Sequence, residues 1–163
     1  TREACRRTGP WDEDLDRWQD WEYNVRFLLS SPRCARVPGI LSAARIHDTG
    51  QIRDLHHQRC GVRADLKAMK AVRDDLACHS RARTEWNDAL AWRYLKVARR
   101  AARLGWPGLS MAAIRSALDC AHSDRMGTAI RYFEALCRNI GWIPAGWSAP
   151  VLVDGPDRYL RIR

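Results

Sequence analysis

The sequence predicts an all-α fold: a helical bundle of about seven helices with a small C-terminal β-hairpin. Three observations predict it. Apolar residues recur at helical spacing through most of the 163 residues. Short Gly, Pro and Asp-Thr-Gly punctuation divides that pattern into helix-length pieces. After Gly141 the pattern changes to short apolar pairs around a turn. A chain of this length can bury a core without disulfide or metal staples. With 46% hydrophobic and 29% charged residues it is globular rather than disordered.

The first helix is predicted over 11–29, opened by Gly9-Pro10 and closed by Ser30-Ser31-Pro32. Trp11, Leu15, Trp18, Trp21, Val25 and Leu28 or Leu29 share one face, and Asp12, Glu13, Asp14 and Asp16 crowd the first turns, where the helix dipole favours anions. That stripe suits a core, and three tryptophans on it also suit a protein contact. Two short helices follow, over 39–47 and 51–60, broken at Asp48-Thr49-Gly50. A longer helix spans 62–79, with Val62, Leu66, Met69, Val72 and Leu76 inward and Arg73 intruding among them. The next runs over 85–104 and stops at Gly105 with Pro107 beyond. Helices over 110–118 and 123–139 complete the set, and Val151–Val153 with Tyr159–Ile162 flank Asp-Gly-Pro-Asp as the hairpin.

Charge is the most informative bulk property. Lys and Arg total 28 against 19 acids, a formal +9. Residues 1–60 hold 10 basic and 9 acidic side chains, whereas residues 61–163 hold 18 and 10. The sequence therefore divides into a near-neutral, Trp-rich lobe (1–60) for self-association or a protein partner, and a basic lobe (61–163) for a polyanion. Arg outnumbers Lys 25 to 3, which suits phosphate because the guanidinium fork pairs two oxygens; GC-rich coding alone also raises Arg. The six scattered cysteines form no CxxC pair and read as reduced thiols. No apolar run is long enough to span a bilayer, and none follows the basic start as a signal peptide requires. The expected location is the cytoplasm, and the lack of an initial Met suggests a trimmed start.

Within the helix over 85–104, Trp86, Leu90, Tyr94, Val97, Ala101 and Leu104 fall in an arc of about 80°, and Arg93, Lys96, Arg99, Arg100 and Arg103 fill an arc of about 120° opposite, with Trp92 among them. Solubilising helices intersperse Glu at i,i+4, but here Glu85 and Asp88 sit only in the first turn. The stripe is expected to neutralise phosphates and the indole of Trp92 to stack on a base. In the helix over 123–139, Met126, Ala129, Ile130, Phe133, Leu136 and Cys137 face inward. Arg125, Thr128, Arg131, Tyr132 and Arg138 lie opposite, offering bidentate donors and a hydroxyl.

The stretch MAAIRSALDCAHSDRMGTAIRYFEALCRNIGWI resembles the helix-turn-helix of winged-helix DNA-binding domains. The resemblance implies that Ile114 and Leu118 lie in the supporting helix and that Ser123 opens the recognition helix. Gly141-Trp142-Ile143 would lead into the wing, and Tyr159–Arg163 would be its return strand. It covers residues 109–163, a third of the chain. The lengthened helix end at Cys137–Ile140 and the scarcity of β-branched residues in the wing depart from that pattern.

Three other readings stand beside it. In size, helicity and basic character the chain is similar to the small helical subunits of CRISPR effector complexes, which hold RNA or displaced DNA. Arg73-Asp74 through His79 is similar to the R-x(4–6)-H motif of HEPN ribonucleases, which implies phosphodiester cleavage. His56, His57 and Cys60, approached by Cys78-His79 across a helical hairpin, have zinc-ligand types at workable spacing. Phosphate-loop, GxSxG and HExxH signatures are absent. The expectation is a nucleic-acid-binding protein without catalysis, cofactor or metal, either a DNA-binding regulator or replication factor or a subunit of a larger nucleoprotein complex.

Overall fold

The computed structural model describes residues 2–30, 58–79 and 83–142. Six helices occur there: α1 (Arg2–Thr8), α2 (Gln19–Leu29), α3 (Arg59–Cys78), α4 (Thr84–Arg103), α5 (Pro107–Cys120) and α6 (Asp124–Ile140). This corrects the prediction of about seven helices with a hairpin, since the described residues form six and include no strand. The segments predicted as a hairpin, as the wing and as a helix over 39–47 lie outside the described residues, as do His56 and His57.

The helix predicted over 11–29 is replaced by a turn over 11–18 and the shorter α2, with α1 preceding them. Gly9 takes φ +84° and its N–H donates to the Cys5 carbonyl, so Gly9-Pro10 ends α1 rather than opening a helix. Asp12 Oδ1 accepts the Asp14 N–H at 3.0 Å, a local bond that competes with helix formation. Leu15 and Arg17 are both buried. Two positions apart on one helix they would point to nearly opposite sides, and the turn lets both reach the interior. Trp18 makes the final redirection at φ 66°, a left-handed conformation unfavourable for a β-carbon-bearing residue.

Arg26 closes this N-terminal unit. Its guanidinium grips the Glu22 carboxylate through Nε and Nη2, and also donates to the carbonyls of Thr8 at 2.7 Å and Pro10 at 2.8 Å. The end of α1 is thereby tied to α2. Leu29, Trp21 and Val25 carry α2 into the same core as α3 to α6.

The central helix is α4, packed on α3, α5 and α6. Its buried set includes Ala91, Leu95, Ala98 and Ala102 besides Leu90, Tyr94, Val97 and Ala101. At 100° per residue that set, with the buried Trp92, covers about 220°, far wider than the predicted apolar arc. Small side chains allow α5 to approach closely, presenting Ala113 and Ala117, and the Ser110 hydroxyl donates to the Ala98 carbonyl at 2.8 Å in the buried seam. Between α4 and α5 the chain reverses through Gly105 at φ +74°. The Gly105 N–H reaches Ala102 O and the Trp106 N–H reaches Ala101 O, a Schellman closure, with Pro107 starting α5.

Candidate nucleic-acid interface

The ten residues predicted to meet nucleic acid separate into two groups. Trp92, Arg93, Lys96, Arg99, Arg100 and Arg103 belong to α4, and Arg125, Thr128, Arg131 and Arg138 to α6.

On α4 Lys96 is exposed, and Arg93, Arg99, Arg100 and Arg103 are half-buried. Trp92 is 6% exposed, so its indole is a core ring rather than a stacking platform. The Lys96 ammonium lies 5.8 Å from that ring. Arg93 packs over Trp21 at 4.5 Å and Trp18 at 5.8 Å, with the two indoles edge to face. Arg100 pairs with Asp65 of α3. All five cations of the ridge take part in interactions within the fold. The physical reason is the position of α4. A helix packed on three neighbours keeps a narrow outer face, and cations at its edges lie beside the Trp18 and Trp21 indoles and the Asp65 carboxylate.

Asp65 is the hub of that arrangement. It is 1% exposed and accepts the Trp18 Nε1–H at 2.6 Å, with Arg17 Nε 3.2 Å away and Arg100 on its other oxygen. Arg17 is itself only 4% exposed and lies over the Trp18 ring. The bonds explain how Trp18 holds its strained backbone: the indole is fixed by the carboxylate and flanked by guanidinium groups. A buried carboxylate and two arginines from three different segments orient the acidic turn, α3 and α4 on one another.

The outer face of α6 is different. Arg125, Thr128, Arg131 and Arg138 are all exposed, as is Tyr132, at 52%. Arg138 donates to Glu134 at 2.6 Å one turn away. Arg125 and Arg131 make no ion pair among the described residues. The inner face buries Ile130, Phe133 and Cys137, matching the periodicity, and burial pushes the Cys137 thiol up to about 11.

The start of α6 is built locally. Ser123 Oγ accepts the Met126 N–H at 3.3 Å, the cap that the sequence indicates. Asp88 of α4 accepts the N–H groups of His122 and Ser123 at 2.7 and 3.1 Å. Burial opposes ionisation of Asp88, but the Ser123 hydroxyl and these two amides outweigh it and hold the carboxyl below its ordinary value. Beside this turn lies an open cleft of about 250 Å³, whose lining includes His122, Ser123, Asp124, Gly127, Thr128 and Arg131. Thr128 and Arg131 thus border a concave surface as well as the helix face. Residue pattern alone did not single out His122; Ser123 as a cap was the available signal.

No protein-family model, curated protein or solved structure matches this chain.

The other constellations are placed as follows. Arg73 reaches towards Asp74 at 3.6 Å and Asp119 of α5 at 3.7 Å, while His79, at the end of α3, has Nδ1 2.9 Å from the Asp75 carbonyl. Cys60 and Cys78 occupy opposite ends of α3, about 27 Å apart along its axis. The hairpin that would bring Cys78-His79 to Cys60 is therefore one continuous helix instead. Among the described residues no group of three His, Cys, Asp or Glu side chains is placed to hold a metal ion. No described helix is long and apolar enough to cross a membrane.

Proposed function

We propose that the chain is a non-catalytic nucleic-acid-binding protein that takes backbone phosphates on the outer face of α6. One observation carries the reading: Arg125, Thr128 and Arg131 are exposed on one helix face beside the cleft, and neither arginine is neutralised by an ion pair among the described residues. Guanidinium groups so placed can each grip two phosphate oxygens, and the Thr128 hydroxyl adds a donor between them. The α4 cations contribute to the overall positive field and to the fold.

Tyr132 favours the strand-holding reading over duplex-groove recognition. An exposed ring among arginines gives an unpaired base a surface to stack on, which needs no base sequence. The test is a binding series with duplex DNA, single-stranded DNA and RNA from about 50 to about 300 mM salt. Arg125→Gln and Arg131→Gln should each reduce the salt slope by about one, and Tyr132→Ala should weaken single-strand binding selectively. Absence of binding to all three substrates, or unchanged slopes in both arginine variants, would overturn the proposal.

A further inference from the structure

The turn between α1 and α2 is a block of negative charge on a protein of formal charge +9. Glu13, Asp14, Asp16 and Asp20 are exposed and Asp12 is half-buried. None of the five makes an ion pair among the described residues. The one cation within the stretch, Arg17, is turned inward onto Asp65. At the edge of the block Trp11 is half exposed and lies flat on Tyr23, ring centroids 4.7 Å apart and planes 16° from parallel. The indole is therefore held in position on the surface rather than drawn into the core.

The outer face of α6 carries the complementary set: Arg125 and Arg131, with Tyr132 exposed between them. Within one copy these two surfaces do not neutralise each other. The acidic turn sits where α1 and α2 pack together and onto α3, whereas α6 packs on α4 and α5. We propose that the outer face of α6 is a docking surface for the Trp11–Asp20 turn of a second copy, so that copies associate head to tail. A contact joining two different patches leaves one of each open at the ends, so it extends into chains instead of closing as a symmetric pair. Exposed ion pairs are individually weak, and aromatic anchors such as Trp11 and Tyr132 add the contact area that charge alone lacks. The formal charge of +9 repels copies at long range, but at about 0.1 M salt that repulsion is screened beyond about 10 Å while direct contacts persist.

The proposal stands apart from the nucleic-acid reading. Phosphates and a neighbour's carboxylates are alternative occupants of the same arginines, so the test is made on nucleic-acid-free protein. Sedimentation of the full chain at about 0.1 M salt should show average mass rising with concentration without levelling at a dimer, and returning to monomer at about 0.5 M. Glu13→Lys with Asp16→Lys, and separately Arg125→Glu with Arg131→Glu, should each be monomeric. All four positions are exposed, so circular dichroism should match the parent. Mixing the two variants should restore association, because the reversed charges again oppose. A parent that stays monomeric, a mass that levels at a dimer, association indifferent to salt, or a mixture that remains monomeric would each overturn the proposal.

Discussion

Replacing Asp65 by Ala removes the buried carboxylate that meets Arg17, Arg100 and the Trp18 indole. Two consequences add. Arg17, 4% exposed, loses a counter-charge in a place that water does not reach, and the indole N–H loses its acceptor. Breaking a buried ion pair from one side costs about 3–5 kcal/mol, against a total of about 5–15 kcal/mol for a domain. Without the indole bond, the left-handed Trp18 backbone also loses its anchor, so the acidic turn should loosen first. Urea unfolding followed by tryptophan fluorescence gives the value directly. With an m-value of about 2 kcal/mol/M the midpoint should fall by about 2 M. Asp65→Asn keeps an acceptor for the indole without the charge and should fall in between. A midpoint shift below about 0.5 M for Asp65→Ala would show that the carboxylate does not organise the interior, and the reasoning about the α4 ridge would fail with it.

Other consequences concern pH, backbone and thiols. Burial, then the adjacent Glu22 carboxylate, raises the Asp75 carboxyl to about 6, with Arg26 and His79 opposing. The folded protein therefore binds this proton more tightly than the unfolded chain does, so its stabilisation is full below about pH 4 and lost as pH rises through about 6. Asp75 is half-buried, and solvent screening reduces the effect to about 1 kcal/mol, so Asp75→Asn should flatten the stability profile in that window. An unchanged profile would refute the pairing. Gly127 lies inside α6, and an added β-carbon would meet only Arg131 Nη2 at 3.9 Å. Gly127→Ala should raise stability by about 0.5–1 kcal/mol in chemical denaturation, and a loss would mean that the cleft wall is tighter than it looks. Burial raises the Cys120 and Cys137 thiols to about 11, whereas Cys5, Cys60 and Cys78 are exposed. Maleimide labelling at neutral pH should reach those three at once and Cys120 and Cys137 only on unfolding.

Much of the helical frame was legible because each boundary carried local chemistry. Gly105 with Pro107 stopped α4, and Ser123 opened α6, as the pattern indicated. The stretch over 11–29 was misread because periodicity cannot distinguish an apolar stripe from tryptophans delivered by a turn. The missed clues were Asp12, whose side chain ties up a local amide, and Gly9-Pro10, which serves equally as a stop. The candidate surface divided for a related reason. The buried arc of α4 is wider than periodicity indicated, because the alanines at 91, 98 and 102 are too small to register as hydrophobic signal, and the half-buried cations beside it engage neighbouring groups. On α6, with its large apolar residues confined to one arc, the same argument placed the outer face well.

Chemical-shift mapping of the isotope-labelled protein with a single-stranded oligonucleotide tests the placement of the surface most directly. The largest amide perturbations should fall between His122 and Arg138, with Tyr132 ring signals moving upfield. Perturbations centred instead on Arg93 to Arg103, with α6 unmoved, would contradict the assignment of phosphate binding to α6.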